Sequence, residues 1–150
     1  MYRHAQFGRP ILAGTILGAV LATLLVAWLS PRTLAAAPGL VAALYATLAV
    51  AYVLFYRLVV TVDERCVRAA FGIGWIAKRV PVSDIVATEI VRTRLRWGWG
   101  IHWTPAGWLY NVGGRHAVRL VLASERPLLI GSDEPQALQA AIDTARARAG

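Results

Sequence analysis

Two apolar stretches decide the fold: ILAGTILGAVLATLLVAWL at residues 11–29 and GLVAALYATLAVAYVLFY at residues 39–56. Neither stretch contains a charged residue. About 20 apolar residues, each advancing a helix by roughly 1.5 Å, cross the hydrocarbon layer of a bilayer. An Arg, Lys or Asp at the centre of such a helix costs roughly 2.5–3.5 kcal/mol on insertion. The two stretches therefore predict a transmembrane α-helical hairpin within residues 1–56.

Two other interpretations of these stretches fit less well. A buried hairpin in a soluble protein would need more surrounding chain than the residues that remain, because both helices are apolar on all sides. A secretory signal peptide has an apolar segment of about 7–15 residues, shorter than the first stretch. The small residues that could form a cleavage site, Ala35-Ala36-Ala37, are also followed at once by the second stretch. We expect both helices to be retained as membrane anchors.

Basic residues predict the orientation of the hairpin. The loop between the stretches has one, Arg32, whereas the two flanks have several: Arg3, Arg9, Arg57, Arg65 and Arg68. Arg and Lys near membrane spans stay preferentially in the cytoplasm. We therefore expect the N-terminus and the C-terminus to be cytoplasmic.

Small residues recur at every fourth position of the first stretch, at Gly14, Gly18 and Ala22. Such a face lets two membrane helices approach closely. It predicts either a tightly packed hairpin or a contact between copies of the chain. The competing interpretation is compositional, because Gly and Ala are common in membrane helices.

Residues 57–150 change to the alternating pattern of short strands separated by turn residues. We expect about seven antiparallel strands, an α+β or all-β domain. A C-terminal helix follows, with Asp133 predicted as its N-cap. Its apolar positions have the spacing of one helical face: Leu138, Ala141, Ile142 and Ala145.

The strongest alternation runs from Val91 to Thr104. Odd positions are mostly apolar or aromatic, and even positions begin with three arginines: Arg92, Arg94 and Arg96. Residues 91–97 are predicted to form a strand with its apolar face in the core, until Gly98 and Gly100 interrupt it. Glu89 is the only acidic residue close by in sequence that could pair with the arginines.

Three segments resemble small bacterial membrane proteins with a pleckstrin-homology-like (PH-like) domain: Gly98-Trp99-Gly100-Ile101-His102-Trp103, residues 107–114, and Ile130-Gly131-Ser132-Asp133-Glu134-Pro135. The resemblance extends from Arg57 to the C-terminus. It implies a cytoplasmic PH-like domain with a C-terminal helix, joined to a two-helix anchor in the bacterial inner membrane. It implies little about function, because this fold serves many binding roles. Phosphoinositide specificity is not implied, because Arg65 and Arg68 stand where related domains have a lysine cluster.

The sequence offers few residues for catalysis. The histidines, His4, His102 and His116, are far apart and lack the spacing of a metal site. The single cysteine, Cys66, lies in an apolar strand–turn–strand pattern that favours a core residue over a nucleophile. No nucleotide-binding glycine loop or nucleophile motif is present. We therefore expect a protein that is not an enzyme, with no catalytic residues, no metal site and no cofactor.

The basic charge points to a binding role. The chain has 16 Lys and Arg against 8 Asp and Glu, and basic residues near an anionic leaflet gain about 1 kcal/mol each. The candidate residues for anionic lipid headgroups or a protein partner are Arg92, Arg94, Arg96, Trp99, His102 and Trp103. The alternative is a solvated strand face backed by core tryptophans. Four tryptophans within residues 97–108 exceed the needs of a small core, so at least one should be exposed.

These observations favour a membrane-anchored, non-catalytic adaptor or assembly protein. It would act on the lipid bilayer, on anionic headgroups, or through a protein partner or self-association. The alternative is an accessory subunit of a larger membrane complex, docked through both helices and the cytoplasmic domain. Nucleic acid is an unlikely partner, because the chain has no nucleic-acid motif and is tethered to a membrane.

Overall fold

The computed structural model describes residues 1–29, 32, 38–94 and 97–149. Most of the loop that is predicted between the apolar stretches lies outside these ranges. Arg96 also lies outside them. Along the chain, the elements are β1 (Tyr2–Phe7), α1 (Arg9–Leu29), α2 (Pro38–Phe55), β2 (Arg57–Val62), β3 (Cys66–Phe71), β4 (Ile76–Pro81), a 3-10 turn (Val82–Asp84), β5 (Ile85–Arg92), β6 (Gly100–Thr104), β7 (Gly107–Asn111), β8 (His116–Leu122), β9 (Leu128–Gly131) and α3 (Pro135–Ala149).

Helices α1 and α2 confirm the two predicted helical stretches. At about 1.5 Å per residue, the 21 residues of α1 extend about 30 Å, the thickness of a hydrocarbon layer. Both helices are long and apolar enough to cross a membrane. The domain does not cover them, since no described residue of α2 is buried. They contact each other, with a 2.5 Å hydrogen bond between the hydroxyls of Thr23 and Tyr45.

The first sheet has the order β1-β2-β3-β4 and is antiparallel throughout. Its edge strand β1 lies before the hairpin and pairs with β2 after it, from Tyr2 opposite Val62 to Phe7 opposite Arg57. This strand is not predicted by the local sequence pattern. The helical hairpin is therefore inserted between two neighbouring strands of the sheet.

The second sheet has the order β5-β8-β9-β7-β6. Strand β9 is antiparallel to β8 but parallel to β7, so the expectation of purely antiparallel strands is wrong at this pair. The reason is topological: β7 and β8 run in opposite directions, and β9 turns back from β8 to lie between them. With β1 included and the 91–104 region divided, the described residues form nine strands rather than about seven.

The core lies between the sheets and α3. Helix α3 buries Pro135, Leu138, Ile142 and Ala145, which confirms most of the predicted apolar face. Its other contacts reach β5, where Thr88 donates a hydrogen bond to the Asp143 carboxylate at 2.7 Å. The predicted N-cap is wrong. The hydroxyl of Ser132 accepts a hydrogen bond from the backbone amide of Glu134 at 3.0 Å. The carboxylate of Asp133 instead lies 2.6 Å from Nε2 of His4 on β1.

The alternating segment is divided as Gly98 and Gly100 predicted, since both have positive φ, 71° and 104°. The predicted strand over residues 91–97 is too long, because β5 ends at Arg92. The chain turns there, and the amide of Thr93 donates to the carbonyl oxygen of Arg115 at 2.8 Å. In β6 the buried residues include Gly100 and Thr104, whereas Trp103 is exposed. On the other side of β6, Ile101 packs against the core, whereas Trp103 lies outside it, contrary to the expectation of an aromatic core.

Candidate functional site: an arginine cleft beside the helical hairpin

One end of the domain carries the helices, and we call it the hairpin-proximal end. Strand β1 enters α1 there and α2 leaves into β2, with the Gly8 amide donating to the Tyr56 carbonyl oxygen at 2.7 Å. The turn between β7 and β8 lies against this junction, because the Gln6 side chain donates to the Gly113 carbonyl oxygen at 2.9 Å. A methyl group built on Gly113 would lie 3.4 Å from Cδ of Pro10 in α1.

Three arginines converge at this end. Arg92, Arg94 and Arg115 line an open cleft of about 380 Å³, with Thr93 as the remaining lining residue. The three arginines are exposed, whereas Thr93 is buried. The hydrogen bond from the Thr93 amide to the Arg115 carbonyl oxygen fixes the distance between the two chain segments. We call these four residues the arginine cleft.

The charge of the arginine cleft is not neutralised within the part of the chain that the structure describes. None of the ion pairs there involves Arg92, Arg94 or Arg115. Glu89, the expected local partner, lies 3.5 Å from Arg119 instead. Guanidinium groups pair bidentately with phosphate and carboxylate oxygens. With no ion-pair partner for any of the three among the described residues, the arginine cleft carries a concentrated positive charge.

Sequence reasoning missed Arg115, which lies beyond the glycines of the β7–β8 turn. The pairing of β5 with β8 places His116 opposite Arg92 and continues to Arg115. Only a correct pairing of these two strands could have brought Arg115 beside Thr93. Arg96, the third arginine of the predicted stripe, lies outside the described residues.

The other predicted binding residues lie in two separate places. Trp99 and His102 line a second cleft of about 290 Å³, between the β5–β6 connection and the helices, together with Ile11, Thr15, Ala51, Phe55, Gly100 and Ile101. There Nε2 of His102 is 2.5 Å from the carbonyl oxygen of Trp99. Trp103 lies on the outer face of β6, edge-on to Trp108 at 5.4 Å. The guanidinium of Arg126 covers the Trp103 ring at 5.0 Å.

Three of the four tryptophans in residues 97–108 are exposed, Trp99, Trp103 and Trp108. This confirms the prediction that at least one of them lies outside the core. The predicted site residues therefore do not form one cluster. Arg92 and Arg94 share the arginine cleft, Trp99 and His102 share the second cleft, and Trp103 belongs to a third surface.

The two glycines of the small-residue face of α1 make no contact with the second helix, whereas Ala22 is half-buried. At Gly14 and Gly18, a built methyl group meets no described atom within 4 Å, so neither glycine packs on α2. The predicted close contact of Gly14 and Gly18 with the second helix is therefore not formed within the chain. A contact through Gly14, Gly18 and Ala22 between copies of the chain stays a prediction.

The titratable groups of the described residues form no group of three that could hold a metal ion. Burial and the neighbouring Asp63 raise the pKa of the Cys66 thiol, which disfavours the reactive thiolate. Its Sγ lies 3.5 Å from the Asp63 carboxylate, in the β2–β3 turn. This turn lies at the end of the domain away from the helices.

No family model matches the sequence. No curated protein matches it either.

Proposed function

We propose that this protein is a non-catalytic membrane adaptor whose arginine cleft contacts anionic lipid headgroups. The observation that carries this proposal is the convergence of Arg92, Arg94 and Arg115 at the hairpin-proximal end, where the described residues offer them no acidic partner. If α1 and α2 span the bilayer, this end lies at headgroup height. Lipid phosphates are then the nearest anions in quantity.

The proposed topology places both termini in the cytoplasm of a bacterium, with two spans in the inner membrane. Pairing of β1 with β2 supports termini on one side, because these strands flank the hairpin and cannot pair across a bilayer. The arginines of the flanks, set against the single Arg32 of the loop, support the cytoplasmic side.

The PH-like fold is part of the proposal. It is supported by two sheets that share a core and by the amphipathic helix α3, which packs on that core at the C-terminus. Strand β1 and the parallel pair β7–β9 depart from the simpler arrangement that the sequence predicts.

A second candidate function is that of an accessory subunit in a larger membrane complex. Two exposed tryptophans favour it, Trp103 on the edge strand β6 and Trp108 on the neighbouring β7, because Trp is enriched among the residues that contribute most to protein interfaces. A partner that co-purifies in mild detergent and is lost on the exchange Trp103→Ser would support this candidate.

The lipid proposal is tested with the full chain in mild detergent, titrated with short-chain phosphatidylglycerol or phosphatidylcholine. Binding is read from the shift in Tm. We expect anionic lipid to bind more tightly, and the variant Arg92→Gln/Arg94→Gln/Arg115→Gln to lose most of the difference. At about 1 kcal/mol per basic residue near an anionic surface, three arginines correspond to roughly a 100-fold change in affinity.

The matched control is Arg65→Gln/Arg79→Gln/Arg126→Gln, which removes the same charge from exposed positions outside the arginine cleft. It should keep the preference for anionic lipid. Equal losses in the two triple variants would mean that net charge alone attracts the lipid. An unchanged preference in the arginine-cleft variant would refute the proposal.

A further inference from the structure

Large apolar side chains are exposed around the base of the helical hairpin. Four of them define what we call the apolar collar: Phe7 at 59 % exposed, Ile73 at 50 %, Trp75 at 82 % and Trp99 at 40 %. The collar residues come from three separate segments of the domain, yet all lie close to the ends of α1 and α2.

The β3–β4 turn holds Ile73 and Trp75 next to the last turn of α2. The Gly72 amide donates to the carbonyl oxygen of Arg57 at 2.8 Å. Gly72 has φ +52°, and a methyl group there would lie 2.2 Å from the carbonyl oxygen of Val53. The ring of Phe71 packs edge-on against Phe55 at 5.4 Å. The turn is therefore fixed at the level where α2 ends.

Trp99 reaches further along the hairpin. It shares a cleft with Ile11, Thr15 and Phe55. Thr15 is six residues beyond the first residue of α1, which corresponds to about 9 Å along the helix axis. Trp99 thus lies beside the apolar part of the helices rather than beneath them.

We propose that the apolar collar inserts into the interfacial layer of a phospholipid bilayer, on more than one side of the hairpin. This rests on the proposed function in one respect, that α1 and α2 span the membrane. Trp is favoured at the boundary between headgroups and acyl chains, and exposed apolar side chains at that depth are removed from water. Insertion fixes the domain against the bilayer, and with it the height of the arginine cleft.

The test measures the depth of nitroxide labels on the full chain in phospholipid vesicles, from their relative accessibility to oxygen and to a water-soluble nickel chelate. Single cysteines are placed at Ile73, Gly18 and Glu125 in a Cys66→Ala background. We expect the label at position 18 to be deep, the label at 73 to be interfacial, and the label at 125 to be aqueous. Equal chelate access at 73 and 125, with 18 deep, would overturn the insertion but leave the spanning hairpin intact. Chelate access at 18 would overturn both.

A second measurement leaves Ile73 unchanged. Vesicles of lipid brominated near the carbonyl groups quench tryptophans at interfacial depth. The exchange Trp75→Phe should remove a part of the tryptophan fluorescence that the brominated lipid quenches. The matched exchange Trp108→Phe, near the turn between β6 and β7, should remove an unquenched one. Loss of an unquenched component in Trp75→Phe would overturn the proposal.

Discussion

The amide of Gly8 donates a hydrogen bond to the carbonyl oxygen of Tyr56 at 2.7 Å, which joins the residue that enters the helical hairpin to the one that leaves it. From this bond the pairing continues outward, with Phe7 opposite Arg57 and Tyr2 opposite Val62. The whole hairpin thus occupies the position of a turn between β1 and β2. The base of the helical hairpin is thus closed by a hydrogen bond that continues the backbone pairing of β1 with β2.

The first prediction is that a short turn can replace the hairpin. A chain in which Asn-Gly joins Phe7 to Arg57 should be soluble and folded, because this dipeptide favours tight antiparallel turns. A fragment that begins at Arg57 lacks β1 and the hydrogen bonds of its six residue pairs with β2, so it should be less stable by several kcal/mol, at about 1 kcal/mol per net hydrogen bond. Urea unfolding, followed by circular dichroism, measures the difference. Equal stability of the two proteins would show that β1 contributes nothing to the sheet.

The second prediction compares two glycines of one turn. Gly72 and Gly74 both have positive φ, 52° and 96°, so alanine costs roughly 1 kcal/mol at either position. At Gly72 the added methyl group would also clash with the carbonyl oxygen of Val53 at 2.2 Å, whereas at Gly74 the nearest atom is 3.5 Å away, on Arg68. Gly72→Ala should therefore lower the Tm of the full chain in detergent clearly more than Gly74→Ala. Similar Tm values would show that the turn does not lie against α2.

Sequence patterns predicted the elements whose signal is local. The helices α1 and α2 follow from uninterrupted apolar residues, and α3 from one face that includes Leu138 and Ile142. Strand β1 escaped prediction because its six residues carry a weak alternation and its partner lies some fifty residues away. Pairing between distant segments depends on tertiary contacts that a local pattern does not contain.

The site was predictable only in part for a related reason. Alternation separates the two faces of a strand but does not say which face is buried. In β6 both sides contribute to burial, because Gly100 and Thr104 are buried on one side and Ile101 packs against the core on the other, while Trp103 is exposed. Arg92 and Arg94 were identified from their spacing, whereas Arg115 joins them only through the pairing of β5 with β8.

The third prediction concerns pH and the β2–β3 turn. Backbone amides of Cys66 and Arg65 donate to the Asp63 carboxylate at 2.7 and 2.8 Å and hold the pKa of Asp63 below its usual value of 3.8. A lowered folded-state pKa means that the charged form stabilises the fold above the unfolded-state pKa, and that this contribution is lost as pH falls through the folded-state value.

Asp63→Asn keeps an acceptor oxygen but removes the charge, so it isolates this effect. The stability difference between wild type and Asp63→Asn should be constant above roughly pH 5 and should shrink below pH 4. Asp63→Ala, which lacks the acceptor, should stay destabilised over the whole range. Urea unfolding of the soluble chain with the Asn-Gly turn provides the measurement. A difference that does not change between pH 6 and pH 3 would contradict the proposed role of the charge.

The last prediction is that the two flanks of the hairpin lie on one side of the membrane, and that this side is the cytoplasm. Because β1 must pair with β2, a cysteine at Arg3 and a cysteine at Glu125 should respond identically to a membrane-impermeant maleimide applied to intact cells. In a Cys66→Ala background, both should react only after the membrane is permeabilised, whereas a cysteine at Thr33 in the loop should react at once. Labelling of positions 3 and 125 but not 33 would reverse the orientation derived from the arginines while leaving the strand pairing intact. Labelling of position 3 without 125 would contradict the pairing itself, since β1 and β2 would then be separated by the bilayer.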